Sequence, residues 1–170
     1  MGRTIEVRAA QPDEYEEAGR ITALAYLEFI RPDDDPGWRK YLDEIADVRG
    51  RVGRTIVLIA VEEGRILGSV TLELEGRVDG EDDPPLRSEE AHIRMLGIDP
   101  GQRRRGIARI LMDGCETRAR QAGKRLLTLH TTERMTAAQA MYASMRYVRG
   151  EDRVFPDGFT LWSYSKTLDR

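Results

Sequence analysis

At 170 residues the chain has the size of one domain and can bury a core without a metal or disulfide staple. Its 40% hydrophobic and 34% charged residues exclude disordered and fibrous classes, and a net charge of −3 argues against nucleic acid as the partner. The single cysteine, Cys115, excludes an internal disulfide and a cysteine metal cluster, and no run approaches the roughly 18 apolar residues that span a bilayer.

In chain order, Thr4 to Ala9 alternates around Ile5 and Val7 and predicts a first strand. Gln11-Pro12-Asp13-Glu14 then opens a helix, with proline and acids in the first turn, and the spacing of Tyr15, Ala18, Ile21, Thr22, Ala25 and Phe29 carries it to about Ile30. A second helix is expected over Gly37 to Arg49. Thr55 to Val61 and Ile66 to Leu74 read as a hairpin around Glu62-Glu63-Gly64-Arg65. Gly76 to Ser88 is a polar loop within one domain spanning residues 1–170. Glu89 to Ile98 is the next strand, followed by the turn Asp99-Pro100-Gly101. A helix from about Arg105 to Ala122 follows, with Ile107, Ile110, Leu111, Gly114 and Cys115 on its core face. Leu126 to His130 is a short buried strand and Thr136 to Met145 a short helix. Two strands, Tyr147 to Phe155 and Phe159 to Leu168, end the chain. This order predicts a mixed α/β sheet with helices on both faces and a parallel crossover around the Arg105 helix.

The most specific segment is Ile93-Arg94-Met95-Leu96-Gly97-Ile98-Asp99-Pro100-Gly101-Gln102-Arg103-Arg104-Arg105-Gly106-Ile107-Ala108. A strand runs into a turn that opens directly into an amphipathic helix, so backbone N–H groups of residues about 104 to 108 point out of the helix N-terminus, where donors and dipole favour an anion. Gly106 admits a close approach of phosphate oxygens, Ala108 keeps bulk away, and Arg103, Arg104 and Arg105 add forked donors. A solvated basic helix start is the plainer reading of such a pattern. Walker-type and dinucleotide glycine spacings are missing, which argues against a generic nucleotide-binding domain.

With Arg103-x-x-Gly106-x-Ala108 between strand and helix, the chain resembles the GNAT superfamily of acyl-CoA-dependent N-acyltransferases. The likeness extends to Ala138-Gln139-Ala140-Met141-Tyr142 with Tyr147 behind it. The resemblance implies a mostly antiparallel sheet of about seven strands with helices on both faces and a V-shaped splay between strands 4 and 5. It further implies acetyl-CoA as cosubstrate with no metal, held by Met95, Leu96, Ile98 and residues Arg103, Arg104, Arg105, Gly106, Ile107 and Ala108. The reaction implied is direct transfer to an amine in a ternary complex, without an acyl-enzyme.

Attack on a thioester needs a neutral amine, whose conjugate acid has a pKa of about 10.4, and benefits from an acid at the departing thiolate. By resemblance, Tyr142 is the acid and the Leu96 N–H the oxyanion donor. A core tyrosine is the alternative at position 142. His92 stands where several members carry a basic glutamate and is the first candidate base, with Glu90, Glu73 and a water chain as competitors. His92 could equally be a hydrogen-bonded histidine, and His130 is expected to be structural.

Two positions depart from the family pattern. Met135 stands where many members have asparagine, and Arg146 where they usually have glycine; together they motivate a second hypothesis, a non-catalytic acyl-CoA-binding sensor. Glu28, Asp33, Asp34 and Asp35 suit a cationic acceptor or a solvated loop, and Trp38, Trp162 and Tyr164 suit pocket or core. The expected partner is a small-molecule or peptide amine, not nucleic acid or membrane. The expected setting is the cytoplasm, with members of the family often pairing through C-terminal strands, here Tyr147 to Leu168.

Overall fold

Strand β1 (Glu6–Ala9) and the hairpin strands β2 (Ile56–Glu62) and β3 (Arg65–Glu73) form where the β-branched runs predict them. The structure, a computed structural model, describes residues 2–31, 33, 36–76 and 84–169; Asp34, Asp35 and residues 77–83 of the predicted polar loop lie outside that set. Glu63 at φ 49° and Gly64 at φ 79° close the hairpin. Two successive left-handed residues give the turn whose twist matches that of the strands it joins.

Pro12–Glu14 forms one 3-10 turn that leads into α1 (Tyr15–Leu27). Its entry is fixed by the Gln11 N–H donating to Glu14 Oε2 at 2.8 Å, while the Arg8 guanidinium grips both Glu14 oxygens at 2.8 and 2.7 Å. The single helix predicted over Gly37 to Arg49 is two: α2 (Gly37–Ala46) and α3 (Val48–Arg51). Asp47 breaks it, because its carboxylate accepts the Gly50 N–H at 2.9 Å and caps a new helix instead of continuing the old one. Strand β4 (Glu90–Ile98), helix α4 (Ile107–Gln121), strand β5 (Leu126–Thr131) and helix α5 (Thr136–Ser144) follow within two residues of their predicted bounds. The strand predicted over Tyr147 to Phe155 is likewise split, into β6 (Val148–Arg149) and β7 (Arg153–Val154), both antiparallel to β8 (Thr160–Thr167). Between the two pieces an Arg149–Asp152 ion pair at 2.5 Å closes a local loop, so the strand cannot run through.

The chain divides into two compact units, Met1–Leu72 with Met95–Cys115 and Glu73–Arg94 with Glu116–Arg170, so that β4 contributes to each. In the first unit the strands are ordered β1-β2-β3-β4, with β1–β2 and β2–β3 antiparallel. Strand β2 is buried on both faces. Val57, Ile59 and Val61 pack with Ala18 and Ile21 of α1 and Val48 of α3, whereas the alternate residue Leu58 meets α4 at Gly114. A Cβ at Gly114 would stand 2.8 Å from Val7, and one at Gly97 would stand 3.0 Å from the Thr22 backbone. These glycines let α4 and α1 lie close on the sheet. Burying Ile107, Leu111 and Met112, each at most 2% exposed, contributes about 1.5–3 kcal/mol apiece.

The second unit orders its strands β4-β5-β8-β6. Strands β4 and β5 are parallel, as the crossover through α4 predicts, and β5 and β8 antiparallel. The architecture is the mixed, mostly antiparallel α/β sheet expected, with eight strands instead of about seven. Among the described residues no helix is long and apolar enough to cross a membrane.

Candidate active site

Residues 103 to 108 do form the turn that the sequence predicts at the start of α4. Gly106 caps the helix: it sits at φ 74°, and its carbonyl accepts the Ile110 N–H at 3.1 Å. Among the described residues no backbone carbonyl takes the N–H groups of 104 to 106, and those of the first helical turn have no partner within the helix. A Cβ built on Gly106 meets nothing within 4 Å, so the space over the turn is open. Ile107 is buried beneath it and Ala108 half-buried.

The three arginines are not equivalent. Arg103 donates to Glu28 Oε2 at 2.6 Å, and Arg105 donates to Glu62 Oε1 at 2.7 Å. Both carboxylates belong to the first unit, and Glu28, which in the sequence suits a cationic acceptor or a solvated loop, pairs with Arg103. Arg104 is exposed, has no partner among the described residues, and holds a left-handed φ of 61°. It is the free cation of the turn. Upstream, Met95 is buried at φ 53°, a conformation rare for a non-glycine residue, and Leu96 and Ile98 are half-buried. The β4–β5 register runs from Glu90↔Leu126 to Ile93↔Leu129, two residues before Met95.

In the second unit His92 is 2% exposed and its Nδ1 lies 2.7 Å from Thr128 Oγ1. The Thr128 hydroxyl in turn donates to Glu90 Oε1 at 3.1 Å. A charged oxygen is a stronger acceptor than the Ala91 carbonyl at 3.4 Å, so the hydroxyl proton goes to Glu90. Nδ1 must then be the donor to Thr128, which leaves the Nε2 lone pair free. The register that pairs His92 with Thr128 makes this chain; strand sequence alone shows no sign of it. The His130 ring centroid is 5.0 Å from that of His92. Burial above all, then His130 and Arg94, hold the His92 pKa well below its usual 6.5, so the ring is neutral at physiological pH.

That shift sets a sign for stability. The unfolded chain binds a proton at His92 below about pH 6.5 while the folded chain does not, so this contribution is whole above that pH and is lost as pH falls. The loss is at most about 1.4 kcal/mol per pH unit. Denaturant melts between pH 7.5 and 5 should show this decline, and His92→Gln should flatten it; equal slopes in both proteins would mean that His92 is not buried as a neutral ring.

Glu73, the other acid weighed as base, is buried and bound by Arg94 at 3.3 Å, which commits it to an ion pair. Tyr142 on α5 is 5% exposed, and its ring lies 6.0 Å from Tyr147 and 5.7 Å from Tyr164. Tyr164 is therefore core. Trp38 packs edge-on against Tyr41 at 5.9 Å, and Trp162 lies under the Arg149 guanidinium at 3.7 Å. Thus Met95, Leu96, Ile98 and residues 103–108 belong to the first unit and His92 and Tyr142 to the second. Sequence reasoning missed Thr128, Glu62 and Glu116. The last is buried and accepts from Tyr147 at 3.2 Å and Lys166 at 2.7 Å.

Comparison with known proteins gives the same turn a context. No curated protein matches the sequence. Among solved structures, a GNAT-family acetyltransferase from Staphylococcus aureus is similar with a TM-score of 0.71 at 16% identity, over 98% of this chain and all of that one. A GCN5-related N-acetyltransferase from Rhodopseudomonas palustris has a TM-score of 0.70 at 22% identity, over 99% of each chain. A GNAT-family acetyltransferase from Brucella melitensis, solved in complex with acetyl-CoA, has a TM-score of 0.66 at 15% identity over 99% of this chain and 91% of that one. The family model of the Acetyltransferase (GNAT) family matches residues 18–147, and so takes in parts of both units. By that match the chain belongs to the GNAT family of acetyltransferases and is an acyltransferase.

Proposed function

We propose that this chain, acting as one domain, moves the acetyl group of acetyl-CoA to a primary amine by direct transfer in a ternary complex. The observation that carries the reading is the turn at residues 103–108, with its unpaired N–H groups, its left-handed Gly106 open to solvent and the free cation Arg104. A pyrophosphate fits those groups: oriented N–H donors, the positive end of α4 and one uncommitted guanidinium. Met95, Leu96 and Ile98 offer backbone groups to the pantetheine arm, a role that suits a strand whose register with β5 ends at Ile93.

Acetyl-CoA supplies the activated thioester carbonyl. The residues of this chain then divide the remaining work. His92 accepts the ammonium proton at Nε2, and Thr128 and the Glu90 carboxylate, bonded in series to Nδ1–H, favour the imidazolium that results. A pKa held low by burial makes His92 a modest base. As the amine forms its C–N bond, the Leu96 N–H donates to the carbonyl oxygen. Tyr142 gives its hydroxyl proton to the departing sulfur as the C–S bond breaks, and the second proton lost by the acylated nitrogen restores the phenol.

A panel of amines (amino acids, polyamines, aminoglycosides and amino-terminal peptides) assayed for CoA thiol release should yield at least one turned-over acceptor. Acetyl-CoA binding without turnover on any of them would favour the sensor, which Met135 at the α5 start, making no side-chain cap, leaves open. No binding of acetyl-CoA or CoA would sink both.

A further inference from the structure

Outside the proposed acetyl-transfer site, the second unit holds a cavity of about 530 Å³ whose wall includes Arg120, Arg146, Lys166, Ser165, Thr167 and Asp169. The three cations come from three elements: Arg120 from α4, Arg146 from the end of α5 and Lys166 from β8. Two of them are partly neutralised by buried Glu116, which pairs with Lys166 at 2.7 Å and Arg120 at 3.5 Å. Arg120 also donates to the Asp169 carbonyl at 3.3 Å. Arg146 differs from both, being exposed with no side-chain partner among the described residues.

Arg146 also occupies a position whose backbone favours glycine. The Arg146 N–H donates to the Ala143 carbonyl at 3.1 Å and the Tyr147 N–H to the Tyr142 carbonyl at 2.9 Å, the paired bonds of a Schellman cap. Arg146 is therefore the left-handed residue of that cap, at φ 69°, where glycine carries no Cβ penalty. A strained backbone that presents an uncommitted guanidinium to a cation-lined cavity is a feature that stability alone does not explain.

We propose that this cavity is a second ligand site, and that it takes the phosphoryl group of a small phosphorylated molecule with Arg146 as the principal anchor. Cations converging from three elements suit three acceptor oxygens better than the two of a carboxylate. The volume falls in the range of small-molecule sites and far exceeds that of a single ion. Glu116 keeps two of the cations positioned while the site is empty. The inference stands apart from the acetyl-transfer reading, since no residue of the proposed cofactor turn lines the cavity.

The test uses inorganic phosphate as the probe, against chloride and acetate at matched ionic strength, with melting temperature as readout. Phosphate could also bind the turn at residues 103–108, so two variants separate the sites. Arg104→Gly and Arg146→Gly each remove an unpaired cation at a left-handed position, and both should fold. Arg146→Gly relieves its cap and should raise the melting temperature of the phosphate-free protein by about 2 °C. The expected result is a saturable rise with phosphate in Arg104→Gly that disappears in the Arg104→Gly/Arg146→Gly double variant. No rise in Arg104→Gly, a rise that survives the double variant, or one that acetate reproduces in full would overturn the proposal.

Discussion

Replacing Tyr142 with phenylalanine is expected to lower kcat for acetyl transfer by about 10²-fold, the lower end of what a positioned proton donor contributes, because a thiolate leaves without full protonation. Acetyl-CoA affinity should change little. The substitution deletes one oxygen and keeps the ring, which sits among Tyr147 and Tyr164 with 5% exposure, so the aromatic packing of α5 on β8 survives. Deleting the hydroxyl is expected to cost on the order of 1 kcal/mol of stability. Steady-state kinetics and a melt on the same preparation separate the two effects. An unchanged kcat would remove Tyr142 from the proposed mechanism, and a fall in kcat matched by partial unfolding would return it to the role of a core tyrosine.

Gly106→Val should weaken acetyl-CoA binding by at least tenfold, the factor that corresponds to about 1.4 kcal/mol. The reason lies in the backbone. A Cβ at this position meets nothing within 4 Å, but φ 74° is a conformation that costs an L-residue about 1–2 kcal/mol and a β-branched one more. Valine would pull the turn toward negative φ and rotate the N–H groups of the α4 start away from the phosphate. Gly106→Asn supplies the control, since asparagine tolerates the left-handed region and should keep most of the affinity. Titration calorimetry with acetyl-CoA reads both variants. Equal affinity in native and valine proteins would mean that the turn at residues 103–108 does not cradle the pyrophosphate.

The breaks in predicted elements share one cause. Helical spacing continues through Asp47, so a period-based reading has no reason to stop there, whereas between Tyr147 and Phe155 the segment Gly150-Glu151-Asp152 is a turn signal that a single-strand reading passes over. What stops each element is a side chain that finds a better local partner: Asp47 caps Gly50, and Arg149 turns back to Asp152. The arginine triplet could not be told apart in the sequence for a related reason. Three adjacent guanidinium groups look alike in a sequence, yet the fold brings Glu28 to Arg103 and Glu62 to Arg105 across 75 and 43 positions and leaves Arg104 uncommitted.

By itself the sequence determined whatever depends on neighbours in the chain. The alternation of β2 and β3, the glycine turn between them, the strand–turn–helix around Arg103 to Ala108 and the Tyr142 helix each follow from residue spacing and local backbone preference. Through that turn the sequence also determined the family. Only the tertiary structure decided what depends on register and distant approach. The parallel pairing of β4 with β5 set Thr128 against His92, the packing of α4 with β8 gathered Lys166, Tyr147 and Arg120 around Glu116, and the cap of α5 turned Arg146 toward their cavity. Such partners lie tens of residues apart, and a strand's own composition is nearly indifferent to which neighbour it pairs with, so contacts of this kind exist only once the sheet has formed.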